Sequence, residues 1–349
     1  MKILITGNMG YVGPAVTAQL RKSYPDTILE GIDLGFFAHC LTNAEVLPEY
    51  RLTRQHFADV RHFPKEILQG ADAIIHLAAI SNDPMGHAYE NVTYEINHRA
   101  SVELARLARE AGVKTFVFAS SCSMYGFAEG GPRTEQDALN PLTAYAKSKV
   151  LTEQGVQQLA NENFKVTCLR FATACGMSPR LRLDLVLNDF AACAVASRKI
   201  TILSDGTPWR PLINTRDMAR AIDWAVNRDP AVSGDFLAIN AGCNEWNFQV
   251  KDLAQTVAEI IPGTEISINK DAPPDKRSYK VCFDLYKKLA PDHQPVSDLR
   301  ETIRELRDSL QAMNFHNENF RESRYMRLKV LAHLRETGLL SETLTWNKC

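Results

Sequence analysis

Short apolar runs alternate with amphipathic stretches through the first half of the chain. The run Ile3–Ile5 is followed by Val12, Val16 and Leu20, which are four residues apart and predict one face of a helix. Similar runs predict further strands at Ile28–Ile32, Gln55–Ala58, Ala73–Ala79, Thr115–Ala119 and Val166–Phe171, and helices over about 87–111 and around 145–149. This alternation is typical of an α/β fold, a doubly wound parallel sheet with helices on both faces.

The alternation loosens after Phe171, where segments rich in arginine and proline separate shorter helices. We therefore predict a sheet domain over 1–171, to which the chain returns around 200–230, a smaller α/β substrate domain over 172–316, and a helical extension over 317–349. In that extension a helix is predicted from Asn317, with Phe320, Leu328, Leu331 and Leu334 on one side and Gly338 as its stop. It packs either on its own domain or on a partner subunit.

Three glycines, Gly7, Gly10 and Gly13, recur at every third position between the first strand and the first helix. Glycine permits a tight turn and lets backbone N–H groups approach a pyrophosphate closely. The N-terminus of the following helix adds donors and a partial positive charge. Turns collect glycine anyway, but the strand before and the helix after supply the context of a dinucleotide site. The pattern therefore predicts a sheet of the Rossmann type.

Two aspartates bear on which dinucleotide binds. Asp33 ends the second strand, twenty residues beyond Gly13, where a carboxylate accepts hydrogen bonds from a ribose diol and repels a 2′-phosphate. This favours NAD over NADP, the alternative being a strand-end cap. Asp59 is interpreted either as an acceptor from the adenine amino group or as a turn former.

Tyr145 and Lys149 are four residues apart and so share one helix face. A phenol with an ordinary pKa near ~10 needs a shift of about three units, or roughly 4 kcal/mol, to act as a base at neutral pH. We expect a charged Lys149 and the positive nicotinamide ring of the cofactor to lower the pKa of Tyr145. Without the glycine turn upstream, a surface tyrosine beside a solvated lysine would be the better interpretation.

A hydroxyl that positions the substrate is expected from the segment Ser120–Gly126, which leaves the carboxyl end of a strand. Each of its three serines is a candidate for this role, and their spacing alone does not show which one fulfils it. Cys122 is either an extra acid or base or, more commonly, inert packing.

Composition excludes several classes of partner. The net charge of −1, with 45% hydrophobic and 23% charged residues, gives no electrostatic basis for binding nucleic acid or an anionic membrane. The eight cysteines show no metal-ligand spacing, so we expect free thiols, no metal and a reducing compartment. The first strand at Lys2 leaves no room for a signal peptide, and no apolar run approaches ~20 residues. We therefore predict a cytoplasmic protein.

Together these motifs resemble those of the extended short-chain dehydrogenase/reductase family, the NAD-dependent nucleotide-sugar epimerases and dehydratases. The resemblance extends from Met1 to about Leu289 and is carried by Thr6–Gly13, Asp33, Asp59–Val60, His76–Ala79, Asn97, Ser120–Gly126 and Tyr145–Lys149. It implies Ser121 as the catalytic hydroxyl, Tyr145 as the base and Lys149 as its electrostatic partner. The implied NAD contacts are Gly7, Gly10, Tyr11, Val12, Gly13, Asp33, Asp59, Val60, Leu77, Ala78, Ala79, Asn97, Tyr145 and Lys149. The implied contacts to a nucleoside-diphosphate sugar are Ser81, Ser121, Ser123, Thr173, Arg210 and Arg277.

Departures from the motifs of individual subfamilies reduce the number of candidate reactions. The 4,6-dehydratases follow their catalytic residue with an acidic pair or Ser-Glu, where this chain has Cys122-Ser123. In fucose synthases a cysteine lies two residues after the catalytic serine, where Ser123 stands. Galactose 4-epimerases carry an asparagine where this chain has Thr173. Epimerisation through a keto-sugar requires the fewest catalytic groups and is therefore the preferred interpretation.

Two alternatives stay open. One is a ketoreductase or dehydratase of the same family, and the other, remote one is a non-catalytic dinucleotide-binding regulator. The resemblance also implies a homodimer formed through the helices at 95–110 and around Tyr145. Arg180 and Arg182 are expected by default to be solvated loop arginines, the alternative being that one of them faces a carboxylate or a phosphate.

Overall fold

The protein is described by a computed structural model over residues 1–128, 130–269 and 278–347. Over these residues the strands are β1 Lys2–Thr6, β2 Ile28–Asp33, β3 Arg54–Phe57, β4 Ala73–His76, β5 Thr115–Ser121, β6 Lys165–Phe171, β7 Thr173–Cys175, β8 Lys199–Ile202, β9 Trp209–Asn214, β10 Phe236–Ala241, β11 Asn247–Gln249 and β12 Glu265–Ile268. The α-helices are α1 Gly13–Ser23, α2 Asp83–Ala88, α3 Glu90–Tyr94, α4 Ser101–Glu110, α5 Ala144–Gln157, α6 Val186–Ser197, α7 Thr215–Asn227, α8 Pro230–Ser233, α9 Val250–Ile260, α10 Asp284–Leu289, α11 Leu299–Ala312 and α12 Arg327–Glu336.

Seven parallel strands form the main sheet in the order β10-β6-β5-β4-β1-β2-β3. Successive side chains of a strand point to opposite faces. Ile3 and Ile5 of β1 therefore pack with Val16 of α1 on one face, while Leu4 packs with Leu104 of α4 on the other. Because both faces are covered, the strands are almost continuously apolar. The predicted doubly wound α/β fold is confirmed.

The sheet has a topological switch point at β1. The chain builds outward from β1 to β3 and then crosses to β4 on the other side of β1. Ligands of such sheets bind outside the carboxyl ends of the strands at this point. Gly7 follows β1, Asp33 ends β2, Leu77 follows β4 and Ser121 ends β5, so the predicted site residues meet along one edge.

A smaller α/β region begins with β7, directly after the main sheet's β6. Strands β11, β9 and β7 form one small sheet, β12 pairs with β8, and α6, α9 and α11 pack around a core that includes Leu187, Leu253 and Leu306. The chain returns to the main sheet through α7, which packs on α1, and through β10. The return therefore spans 215–241, somewhat later than the expected 200–230.

The helix predicted over 87–111 is two elements. The first, α2, begins earlier because the side chain of Asn82 accepts the N–H of Met85 at 2.8 Å and caps it. A continuous helical run then extends through α3 to the end of α4, and its middle segment, Glu95–Ala100, is π-helical. A wider π turn inside an α-helix frequently marks a functional site.

The C-terminal extension is not one helix from Asn317, so that prediction was wrong. A 3₁₀ turn at Phe320–Glu322 precedes α12, which ends before Gly338 at a φ of +74°, as predicted. Phe320 packs in the core of the smaller region, whereas Leu331 and Leu334 pack beside the main sheet. The segment cannot present these side chains on one face because it crosses from one core to the other.

The seven cysteines in the described ranges are free thiols. Burial raises the pKa of Cys122, Cys168 and Cys175 above the ordinary range of a thiol, so these side chains stay protonated at neutral pH. In the same ranges no three His, Cys, Asp or Glu side chains are grouped to hold a metal ion. Nor does any helix there have the length and apolarity needed to span a membrane.

Candidate active site

A first cleft lies over the glycine turn. A Cβ on Gly7, whose φ is +73°, would come within 2.5 Å of the backbone nitrogen of Ala78, and one on Gly13 would lie 1.9 Å from the carbonyl oxygen of Asn8. Such distances are excluded for real atoms, so the close packing of β1, α1 and the end of β4 requires glycine at both positions. The cradle that results leaves the N-terminus of α1 facing the cleft and fits the pyrophosphate of a dinucleotide.

The remaining predicted contacts of the cofactor surround this cradle. Tyr11, Val12, Asp33, Asp59, Val60, Leu77, Ala78 and Ala79 all line the first cleft with Gly7 and Gly10. The carboxylate of Asp33 accepts the N–H groups of Met9 at 3.0 Å and Gly35 at 2.8 Å. Each carboxylate oxygen accepts two hydrogen bonds, so Asp33 retains capacity for a ribose diol. NAD therefore fits the residues of this cleft.

Asp59 is engaged more heavily than the sequence suggested. It accepts the backbone N–H of Arg61 at 2.9 Å and a bidentate pair from the same guanidinium, with a closest distance of 2.6 Å. Arg61 in turn donates to the carbonyls of Thr343 at 2.6 Å and Leu344 at 3.0 Å. Asp59 thus ties the adenine end of the first cleft to the C-terminal extension.

A second cleft of about 760 Å³ holds the predicted catalytic residues Tyr145, Lys149 and Ser121. It is continuous with the first, because both are lined by Tyr11, Val12, Leu77, Ala79, Ser81 and Arg182. Tyr145 lies in the first turn of α5 and is hydrogen-bonded to Ser121. The Lys149 ammonium donates to the carbonyl of Ala119 at 2.7 Å, at the end of β5.

The structure separates the three competing serines. Ser120 is buried and donates to Glu153 at 2.6 Å, and Glu153 is itself paired with Arg170 at 2.7 Å. Ser121 and Ser123 lie 3.0 Å apart, oxygen to oxygen, in the second cleft. Since Ser121 is the serine bonded to Tyr145, the geometry favours the residue that the family resemblance implied.

Asn97 stabilises the structure of this site through hydrogen bonds. Its side-chain amide accepts the N–H of Ile80 at 2.8 Å and donates to the carbonyl of Ile80 at 2.9 Å, fixing the segment after β4. The π-helical turn frees the carbonyl of Asn97, which accepts the hydroxyl of Thr152 of α5 at 2.6 Å. Asn97 is 1% exposed. Through its hydrogen bonds to Ile80 and Thr152 it connects the segment after β4, which borders the first cleft, to the helix of Tyr145 and Lys149.

Burial sets the protonation of the catalytic pair. It raises the pKa of Tyr145 to about 12 and lowers that of Lys149 to about 7. The lowering expected from a charged Lys149 together with the nicotinamide ring stays a prediction, and in the ligand-free chain the net shift of the Tyr145 pKa is upward. The reason is that both groups are largely removed from water, which disfavours the charged form of each. The charge needed to ionise Tyr145 must be supplied by what binds in the clefts.

The pKa of Lys149 predicts a pH dependence of stability. Between about pH 7 and 10.5 the unfolded chain holds a proton on Lys149 that the folded chain has lost, so stability rises with pH. We expect the unfolding free energy of the nucleotide-free protein to rise relative to Lys149→Met by about 1.4 kcal/mol per pH unit. Urea unfolding of both proteins between pH 7.5 and 9.5 measures this, and parallel profiles would refute it.

The predicted substrate contacts lie around the second cleft. Ser81, Ser123, Thr173 and Arg210 all line it, with Thr173 on β7 and Arg210 on β9 of the smaller region. The second cleft is therefore bounded by the main sheet on one side and the smaller region on the other. Arg277 lies outside the described residues.

Sequence reasoning missed an ion pair at the junction of the two clefts. Arg182 forms a bidentate pair with Asp184, at 2.9 and 2.8 Å, and donates to Ser81 at 2.9 Å. Arg180 is fully buried and pairs with Glu49 at 2.7 Å. The default expectation that both arginines are solvated is thus wrong, and the alternative of an arginine facing a carboxylate is confirmed.

A signal for this arrangement existed in the sequence. In the segment 180–184 polar and leucine residues alternate, and both leucines, Leu181 and Leu183, are completely buried in the core of the smaller region. An extended segment with this alternation presents its polar side chains to the opposite side. Here that side faces the clefts.

Asp83 lies in the segment after β4 and lines the second cleft at the start of α2. Its carboxylate accepts the hydroxyl of Thr143 at 2.7 Å, and that hydroxyl oxygen accepts the N–H of Ala146 as the N-cap of α5. The negative charge of Asp83 also raises the pKa of Tyr145. Nothing in the local sequence shows that Asp83 and Tyr145 meet.

Comparison with known proteins extends these observations. The family model described as "NAD dependent epimerase/dehydratase family" matches residues 3–242. The Bacillus subtilis (strain 168) protein named "Uncharacterized UDP-glucose epimerase YtcB" is 31% identical over 267 residues, or 74% of this chain and 82% of that protein. The dTDP-D-glucose 4,6-dehydratase of Mus musculus is 26% identical over 271 residues, or 75% and 74% of the two chains. The structure of MoeE5 in complex with UDP-glucuronic acid and NAD superposes with a TM-score of 0.76 and 22% identity, over 90% of this chain and all of that one, and so shows a shared fold.

Proposed function

Because the chain belongs to the NAD-dependent epimerase/dehydratase family, we propose that it is a nucleotide-sugar epimerase. Membership confirms the family predicted from the motifs and NAD as the cofactor. The observation that carries the proposal is the meeting of Tyr145, Lys149 and Ser121 in a cleft continuous with the NAD cradle. A relative named as a UDP-glucose epimerase supports a nucleoside-diphosphate sugar as the substrate.

In this proposal Tyr145, as the phenolate, takes the proton from one sugar hydroxyl, whose oxygen Ser121 holds by a hydrogen bond. Bound NAD⁺ supplies the acceptor for the hydride of the same carbon, together with the positive charge of its nicotinamide ring. Lys149, anchored on the carbonyl of Ala119, adds positive charge beside the phenolate when protonated. Tyr145 then returns the proton to the alkoxide formed when the keto-sugar is reduced from its other face.

Epimerisation is favoured over dehydration by Cys122. In the related dehydratases an acidic group follows the catalytic hydroxyl, and here the Cys122 side chain is completely buried and donates to the carbonyl of Arg170 at 3.0 Å. Burial raises its pKa far above neutrality, so it is neither exposed to substrate nor ionised. The residues that do face the substrate suffice for a reaction that removes and restores the same proton and hydride.

A dehydratase is the second candidate, and Asp83 is the observation that favours it. Its carboxylate reaches the second cleft from α2, close enough to Tyr145 to influence its pKa. A carboxylate in that place would be able to act on a sugar carbon next to the one oxidised. The two candidates differ in product, because elimination releases water and leaves a keto-deoxy sugar.

Proton NMR of the purified protein with UDP-, dTDP-, GDP- and CDP-sugars, without added cofactor, tests the proposal. We expect one sugar to equilibrate with its epimer, since the bound NAD is regenerated in every cycle. A keto-deoxy sugar would instead establish the dehydratase. Turnover that occurs only when NADH or NADPH is supplied with a keto-sugar would make the enzyme a reductase.

The proposal includes a homodimer in the cytoplasm. Helices α4 and α5 cover one face of the main sheet. Leu151 of α5 is an apolar side chain that is 38% exposed. An exposed leucine on such a helix is suited to contact with a second copy of the same helix pair.

A further inference from the structure

The end of the chain lies against the first cleft. We call residues 327–347, which comprise α12 and the segment after it, the C-terminal cover. The indole N–H of Trp346 donates to the carbonyl of Leu34 at 2.7 Å, and its ring lies 5.5 Å from that of Phe36. Leu34 directly follows Asp33, and Phe36 lies three residues beyond it. The cover is therefore attached at the adenosine end of the cleft, where Arg61 also binds its backbone.

The cover also forms part of the cleft's wall. Leu331, Leu334 and Leu344 are almost completely buried. They belong to the same apolar cluster as five buried residues that line the first cleft, namely Phe36, Val60, Ile80, Met85 and Ile96. Opening the cover would expose these apolar side chains to water, which is unfavourable.

One residue of the cover, Arg327, itself lines the first cleft and is 1% exposed. Its guanidinium donates to the backbone carbonyls of Arg180 at 2.8 Å and Arg324 at 3.2 Å and lies 4.8 Å from the ring centre of Phe37. No carboxylate among the described residues forms a salt bridge with it. Burial accordingly lowers its pKa to about 10.

The neighbouring buried arginines, Arg180 and Arg182, differ from Arg327 because each forms a salt bridge with a carboxylate. Arg180 is paired with Glu49, and Arg182 with Asp184, so both of these buried charges are compensated within the chain. Among the residues that the structure describes, Arg327 has only backbone carbonyls within hydrogen-bond distance, and Asp184, which is already bound to Arg182, attracts it from beyond salt-bridge distance. A buried charge that is compensated only in part is unfavourable, and a bound anion would compensate it further. The ligand of this cleft is NAD, whose diphosphate carries negative charge, and the planar fork of arginine suits phosphate oxygens.

We propose that Arg327 binds the diphosphate of NAD and that the C-terminal cover holds the cofactor in place. The glycine turn and the N-terminus of α1 bind the diphosphate from one wall, and Arg327 binds it from the opposite wall. Release of NAD then requires the cover to separate from Leu34 and Arg61. The inference rests on NAD binding alone and holds whichever nucleotide-sugar reaction the enzyme catalyses.

Arg327→Met keeps the length and apolar stem of the side chain but removes its charge. We expect affinity for NAD and for ADP-ribose, measured by calorimetry on the nucleotide-free protein, to fall about tenfold or more, because a charged pair to the diphosphate is lost. Affinity for adenosine, which has no phosphate, should be unchanged. Lys329→Met on the exposed side of α12 is the matched control and should alter none of the three.

A purely structural role for Arg327 would weaken all three ligands equally, and that result would overturn the proposal, as would unchanged NAD affinity. If Arg327→Met fails to fold, Arg327→Lys is measured instead, since it keeps the charge but loses the planar fork. An unaltered ratio of NAD to adenosine affinity in that variant would likewise overturn the assignment.

Trp346→Ala tests the cover separately. This change removes the contacts with Leu34 and Phe36 while leaving every residue of the cradle in place. We expect bound NAD to dissociate about tenfold faster, followed as loss of bound nucleotide after dilution into a competing nucleotide, because such contacts act mainly on the dissociation rate. An unchanged dissociation rate would show that the cover does not retain NAD.

Discussion

Tyr145→Phe is expected to lower kcat for the sugar conversion by about a thousandfold, the middle of the range for losing a positioned acid–base group. The substitution removes only the hydroxyl, which is bonded to Ser121 in the substrate cleft. Phenylalanine can neither take up nor return a proton. Affinity for NAD should persist, because the glycine cradle and Asp33 are untouched. The measurement is kcat on the sugar identified by NMR, together with the bound NAD per chain.

The matched control is Tyr125→Phe. The hydroxyl of Tyr125 is also buried and donates to Asn240 at 2.7 Å, but it lies beneath the site and not in either cleft. This variant should lose stability and retain most of its kcat. Full activity of Tyr145→Phe would exclude the phenol as the base and, with it, the proposed mechanism.

Gly13→Ala is expected to have the largest effect on the cofactor site. The added Cβ would lie 1.9, 2.4 and 2.6 Å from three backbone atoms of Asn8, none of which can rotate away. The start of α1 must therefore shift from β1. Overpacking of this kind costs about 3 kcal/mol, and a displaced helix N-terminus no longer faces the pyrophosphate. We expect lower stability in urea and loss of bound NAD after purification.

Two other glycines separate these effects. A Cβ on Gly10 would meet only the carbonyl oxygen of Gly7 at 3.2 Å, so Gly10→Ala should preserve the fold but weaken NAD binding, because Gly10 lines the cleft. Gly131 has no atom within 4 Å of its added Cβ, and Gly131→Ala should alter neither property. Normal stability and a full complement of NAD in Gly13→Ala would contradict the description of the cradle.

Buried arginines near the clefts supply positive charge for binding NAD. Arg182 and Arg327 line the clefts of a chain whose net charge is −1, and Arg180 is buried in the same segment as Arg182. Two of the three are paired with Glu49 and Asp184, and the charge of Arg327 is compensated only in part within the chain. The chain therefore binds anionic cofactor groups by local geometry, as the composition suggested, but with one cation that comes from its C-terminal end.

The sequence by itself determined six of the seven strands of the main sheet, all but β10, together with the glycine turn and the Tyr145–Lys149 pair. Each is written in neighbouring residues, as a periodic apolar pattern or a fixed spacing, so local reasoning suffices. The start of α2 at Asp83 was not predicted, although an asparagine cap followed by proline begins a helix.

Only the tertiary structure decided which residues join these motifs. The hydrogen bond between Ser121 and Tyr145, the approach of Asp83 to Tyr145 and the position of Arg327 in the NAD cleft depend on contacts between segments far apart in the chain. The direction of the Tyr145 and Lys149 pKa shifts was also beyond the sequence, which shows that two groups are close but not how far both are removed from water. Spacing along the chain fixes neighbours on one helix, whereas burial and long-range contact arise only when the whole chain packs.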